Sequence, residues 1–146
     1  MTIHDLTEKA AALIAGDPFL AGVPVIVEDK GDVANRLALA VARRRLAIVV
    51  AWTGFAADGN SSRTIFGKSN LIVTVFEQPV LNRKASDFIH LLAAAAHIAY
   101  ALNLVPLGDD SSPLVVKSIG GVNPYTENGE NSIVYTNVTF ETSTTL

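Results

Sequence analysis

The stretch from Leu46 to Thr53 is apolar almost throughout and has no helical spacing. Its β-branched residues favour a strand, and its lack of polar alternation favours one covered on both faces. Asn70 to Gln78 is a second such stretch, with Ile72, Val73, Thr74, Val75 and Phe76 at its heart and Pro79 ending it. Strands of this kind need a sheet and something packed upon it, which already narrows the chain to a layered fold. The intervening Gly54 to Lys68 is polar and glycine-bearing, with Asp58-Gly59-Asn60-Ser61-Ser62 as its tip. It reads as a loop of about 15 residues, where a hairpin connection usually takes 2–5.

The remaining elements fall around this pair. Leu6, Ala10, Leu13 and Ile14 mark one face of a helix over residues 5–15, closed by Gly16 and the turn Asp17-Pro18. Val23 to Glu28 reads as a short strand, placed at an edge or begun by Pro24, which cannot donate to a ladder. Asp32 caps a predicted helix from Val33 to Arg44 that closes on Arg43-Arg44-Arg45. The longest helix is expected over 86–103, capped by Ser86 or Asn82, with Phe88, Leu91, Leu92, Ala95, Ala99 and Leu102 buried. Leu114 to Ile119 and Ile133 to Thr142 are strands, joined by the glycine-rich connection from Gly120-Gly121 to Asn131. In the last strand Val134, Val138 and Phe140 alternate with Tyr135, Asn137 and Thr139, the pattern of a half-exposed antiparallel strand. The order α-β-α-β-β-α-β-β predicts one α+β domain over 1–146, an antiparallel or mixed sheet of about five strands with helices packed on it.

Composition excludes several classes. The chain has no cysteine, which removes disulfides, thiolate chemistry and Cys-ligated zinc. Met1-Thr2-Ile3-His4-Asp5 is neither a basic n-region nor an apolar h-region. The longest apolar run, Leu91 to Leu102, is interrupted by His97 and falls short of a membrane span. The net charge of −3 lacks the basic footprint of a nucleic-acid binder, so no sequence-specific nucleic-acid binding and no membrane partner is expected. Arg43, Arg44 and Arg45 suit the negative end of a helix dipole, or a contact with an acidic partner. Hydrophobic residues are 49% of the chain and charged ones 17%, more apolar material than a lone monomer readily covers, which points to oligomerisation.

Catalytic and metal motifs are missing from the pattern. His90 and His97 stand at i and i+7, with Ala94 where a second ligand or base would be needed, so the zinc-protease spacing is not met. Ser61 and Ser62 lie in no Gly-x-Ser-x-Gly setting. Gly67-Lys68-Ser69 has serine, Ser62, where a phosphate loop needs its first glycine, and a strand follows instead of a helix. Asp109-Asp110-Ser111-Ser112 lacks the alternating ligands of a calcium loop. The expectation is a protein that is not an enzyme and uses no cofactor or metal.

The segment Leu71 to Arg83 ends a strand in Glu77-Gln78-Pro79-Val80-Leu81-Asn82-Arg83, and an alanine-rich helix follows up to Leu102. This stretch, together with the closing strand Ile133 to Thr142, resembles the small tail-terminator and tail-completion (head-tail joining) proteins of bacteriophages. The similarity in order of elements covers most of the chain, least so the opening helix and residues 17–35. The resemblance implies a structural virion protein, made in the host bacterial cytoplasm. It implies a homo-oligomeric ring, a hexamer, that caps the tail-tube protein and meets the head-tail connector protein. Such a ring needs a heterologous interface, for which long loops and strand edges are suitable material.

Two other readings stand beside it: another phage neck or tail morphogenesis protein, and a small bacterial α+β ligand-binding or regulatory domain. Under the tail-terminator reading, the 54–68 loop is expected to be a partner-binding arm, with Arg63 and Lys68 supplying charge and Phe66 an apolar anchor. Arg43, Arg44 and Arg45 are the second expected contact group.

Overall fold

The protein is described by a computed structural model over residues 3–28, 45–61, 63–84, 88–108, 112–125 and 133–145. The helix expected over Val33 to Arg44 and the Asp109-Asp110 turn lie outside these residues.

Helix α1 (Ile3–Ala15) buries Leu6, Ala10 and Ile14. Leu13, expected on the same face, is instead 44% exposed. It follows Ala12 and precedes Ile14 at 100° steps, and only one of the adjacent pair can face the core. Asp17 then caps a 3₁₀ turn, Pro18–Leu20, accepting from the Phe19 N–H at 2.9 Å. Strand β1 (Val25–Val27) begins just past Pro24 and lies at the sheet edge, parallel to β2.

Strands β2 (Leu46–Ser61) and β3 (Thr64–Glu77) form one long antiparallel hairpin that runs in register out to Ser61 opposite Thr64. The expected loop over 54–68 is therefore corrected: it is strand on both arms, β2 running out to Ser61 and β3 starting at Thr64. A one-turn helix α2 (Pro79–Asn82) follows, with Gln78 as its cap, and then helix α3 (Leu91–Leu102). Helix α3 starts at Leu91, later than the sequence suggests, and its cap is His90 rather than Ser86 or Asn82. Its buried stripe is Leu91, Ala94, Ala95, Ile98, Ala99 and Leu102. Leu92, expected inside, is 42% exposed, and Phe88 is exposed and precedes the helix. Strands β4 (Val115–Ile119), β5 (Asn123–Tyr125) and β6 (Ile133–Thr145) complete the sheet, β5 appearing within the connection that reads as glycine-rich loop.

The architecture is α+β: a six-stranded mixed sheet in the order β1-β2-β3-β6-β4, with β5 pairing the other half of the β6 edge. Leu46, Ile48 and Val50 of β2, Leu71, Val73 and Val75 of β3, and Val138 and Phe140 of β6 face α1 and α3 in the main core. Burying each such side chain contributes about 1.5–3 kcal/mol. The small Ala94 and Ala95, fully buried, let α3 lie close on the sheet. The opposite face holds a smaller cluster of Ile26, Ala47, Val49 and Phe76, packed by Tyr125, Ile133 and Tyr135. Both faces of β2 are thus covered over Leu46 to Val50, as its unbroken apolar pattern requires.

Candidate protein interface

Beyond Trp52 and Leu71 the hairpin runs past the apolar core and becomes an arm. Among the described residues, strand β6 accompanies it as a third strand as far as Thr145 opposite Phe66, and β2 and β3 pair with each other on to Ser61 opposite Thr64. Two bulges bend β2 along the arm, one between Trp52 and Gly54 and one between Ala57 and Gly59. Gly54 takes φ +148°, which a side chain would rarely tolerate. Thr53, left without a cross-strand partner, turns its hydroxyl to donate to the Asn70 carbonyl at 3.3 Å. On β3, a Cβ at Gly67 would stand 2.1 Å from the Ala56 carbonyl oxygen, so the strands touch backbone to backbone there. Hydroxyls close the arm's other seam: Ser69 and Thr144, both buried, hydrogen-bond at 3.1 Å.

The arm presents the expected contact residues Arg63, Phe66 and Lys68 and adds Ile65. Arg63 occupies the turn and is exposed. Phe66, 43% exposed, lays its ring across Gly59 on the facing strand, close enough that a side chain there would push the ring aside. Lys68 lies two residues on, on the same face, and pairs with Glu141 at 3.7 Å in a part-exposed bridge worth about 0–1 kcal/mol. Ile65, 41% exposed, faces the other way. Ile65 is not legible as a contact residue while the whole segment reads as loop; strand alternation is the signal that separates it from Phe66.

The arginine group is not part of this patch. Arg43 and Arg44 lie outside the described residues. Arg45 sits at the opposite end of the 16-residue β2, roughly 50 Å along the strand from the tip. It has φ 70°, a left-handed conformation unusual for arginine, and its carbonyl accepts from the Gln78 N–H at 2.8 Å.

Beside Arg45 is the strand–helix junction. Glu77, the last residue of β3, is 1% exposed. One of its oxygens, Oε2, accepts from Asn82 Nδ2 at 2.7 Å and from the Leu91 N–H at 3.3 Å. Asn82 Nδ2 also donates to the Ile89 carbonyl at 2.9 Å. The other oxygen has no hydrogen-bond partner and stands 3.9 Å from the Arg83 guanidinium. A carboxylate at a helix N-terminus satisfies an orphan N–H and opposes the dipole. The Glu77-to-Arg83 segment is thus a clamp fastening α3 to the end of β3.

Chemistry elsewhere is sparse. His97 Nε2 donates to Asp17 Oδ2 at 2.7 Å, and its ring stacks on Phe19 with centroids 4.4 Å apart. Burial acts to raise the Asp17 carboxyl, but the His97 hydrogen bond, the Phe19 N–H and the imidazole's charge together hold it below its usual value. Among the described residues no serine or threonine hydroxyl is seen bonded to His97. The acid–imidazole pair ties the turn after α1 to α3. His90 accepts from the Leu92 N–H at 3.1 Å as a cap. Among the described residues no three His, Asp or Glu side chains converge on a metal position. A cavity of about 240 Å³ lined by Phe19, Val23, Arg45, Asn82 and Ile89 is smaller than the usual ligand pocket. No helix of the described residues is long and apolar enough to cross a membrane. Compared with protein-family models and with curated proteins, the chain matches none.

Proposed function

We propose that the protein is a structural subunit that forms a ring at the end of a bacteriophage tail, capping the tube and joining it to the head connector. The observation that carries this is the arm. Stiffened by a third strand and by backbone contact at Gly67, it holds Ile65 and Phe66 in the open, beyond the core. Apolar side chains held out rigidly in this way favour burial against another macromolecule over capture of a small molecule. The similarity of Glu77 to Arg83, the alanine-rich helix and the closing strand to phage tail-terminator proteins supplies the kind of macromolecule. In this role the copies form a homo-oligomer, six to a ring, and the arm tip meets the tube or connector protein. The work is mechanical, with no catalytic residue, metal or cofactor.

Electron microscopy and native mass of the purified protein test the ring, and infectious titre tests the arm. Wild type should give uniform rings. Ile65→Asp should leave folding and rings intact and cut the yield of finished particles. A stable monomer at working concentration, or a normal titre from Ile65→Asp, would refute the proposal.

A further inference from the structure

Among the described residues the sheet has an unpaired stretch of edge at each end. Strand β1 covers the outer edge of β2 only along Ile48–Val50, with the Glu28 N–H donating to the Val50 carbonyl just beyond. From Ala51 to Ser61 no described strand pairs with β2 on that side. At the far end, β4 has β6 on one side and no described strand on the other. On β4 the Val116 N–H already donates to Asn103 Oδ1 at 3.2 Å, so the part of this edge that can template another strand is the end from Lys117 to Ile119; on β2 it is the stretch beyond Ala51.

Each open edge carries a bulge whose extra residue is charged and exposed. In β2 it is Asp58, between Ala57 and Gly59; in β4 it is Lys117, between Val116 and Ser118. Bulges and charges ordinarily discourage edge pairing with chance partners. Opposite signs do more than discourage. Asp58 against Asp58, or Lys117 against Lys117, opposes the pairing of like edges, whereas Asp58 against Lys117 favours unlike ones. Apolar side chains flank both charges: Ala56 and Ala57 on β2, Val115 and Ile119 on β4, all exposed.

Strand polarity agrees. Strand β2 is antiparallel to β3, β3 to β6 and β6 to β4, so β4 runs opposite to β2. A second copy that continues the sheet in the same sense therefore meets β4 with its own β2 antiparallel. We infer that copies of this chain join head to tail in this way, the β4 edge of one pairing with the Thr53–Ser61 edge of β2 on the next. The inference rests on the ring-forming reading above and specifies the contact that closes the ring, a heterologous one.

The heights of the two edges also fit closure. Ile119 lies opposite Val138, Val138 opposite Val73, and Val73 opposite Val50; Val115 leads through Glu141 and Asn70 to Gly54. Strand β4 is thus level with Val50 to Gly54 of its own β2, while the open stretch on the neighbour lies further along. Each copy is displaced along the strand axis relative to the last, and stagger of this kind tilts strands and lets a sheet close on itself.

The absence of cysteine makes the test clean. Asp58→Cys and Lys117→Cys are made separately, co-refolded as a mixture, and combined in one chain, then treated with a short bis-maleimide linker. The mixture should give dimers on a denaturing gel, the double variant a ladder, and each single variant monomer. In parallel, Asp58→Lys should lower the ring fraction at least tenfold, and Asp58→Lys with Lys117→Asp should restore it. Dimers from either single cysteine variant mean that like edges meet and overturn the inference. Rings that form in wild type, survive Asp58→Lys and do not link in the mixture overturn it too, leaving the ring itself standing. A monomeric wild type removes the ring and the edge pairing together.

Discussion

Replacing Glu77 should be the most damaging single change at the strand–helix junction. Glu77→Ala removes the acceptor for both Asn82 Nδ2 and the Leu91 N–H and leaves a void where a fully buried side chain stood. Hydrogen bonds to a charged acceptor are worth about 1.5–3 kcal/mol each, and two are lost together. The expected loss is therefore about 3–5 kcal/mol, a large part of a domain's stability. Glu77→Gln is gentler, because the amide oxygen still accepts from both donors. It gives up the Arg83 attraction and places an NH₂ where the unpartnered oxygen lies, for about 1–2 kcal/mol. Urea unfolding followed by circular dichroism, at one fixed protein concentration so that mass action cannot shift the midpoints, measures both. Unchanged m-values confirm that midpoints report stability. A double-mutant cycle with Asn82→Ala should return a coupling of about 1–3 kcal/mol. A Glu77→Ala loss below about 1 kcal/mol, or a coupling near zero, would show that the junction is held by α3 packing alone.

Leu91→Ala should cost about 2–5 kcal/mol in the same unfolding assay, and Leu92→Ala less than about 1 kcal/mol, because only the first is buried. Gly67→Ala should destabilise by about 1–3 kcal/mol or more, since its Cβ meets the Ala56 carbonyl; amide exchange along the arm should quicken with it. The Asp17 carboxyl is held below its ordinary value, so its contribution is complete above about pH 4, its unfolded value, and fades as pH falls through the folded one. The stability gap between wild type and Asp17→Asn, followed by thermal unfolding from pH 6 downward, should therefore narrow below about pH 4.

The sheet's central strands were legible because burial on both faces leaves an unbroken apolar record in β2 and a nearly unbroken one in β3. Strand β6 was legible by its alternation, though it runs past Thr142 to Thr145, where Thr142 and Thr144 fill inward positions that a hydrophobic pattern does not mark. The arm was misread because Asp58, Gly59, Asn60 and Ser61 carry the composition of a turn. What makes them strand is pairing with β3, which β6 in turn supports, and a pairing partner outweighs weak local preference. The start of α3 was misplaced for a related reason: its first N–H is held by Glu77, fourteen residues earlier, and no local signal shows that. Leu92 was misassigned because two adjacent leucines compete for one stripe, and the choice is made by Ala94, Ala95 and Ile98. Of the expected contact residues, Arg63, Phe66 and Lys68 share one arm, while Arg45 lies at the other end of β2.

Strand β6 lies between β3 and β4 in the sheet, yet it is the last of the described strands along the chain. During synthesis the β2–β3 hairpin can zip as soon as it emerges, since its halves are neighbours. Among the described strands β4 and β5 pair only with β6, and they must wait for it. Until Ile133 to Thr145 has left the ribosome, the free flank of β3 is exposed along its length, with Leu71, Val73 and Val75 lacking the strand beside them. A nascent chain paused before that point is half a sheet with an adhesive side. The interval before β6 arrives is when a crowded cell is most able to divert the protein into aggregates.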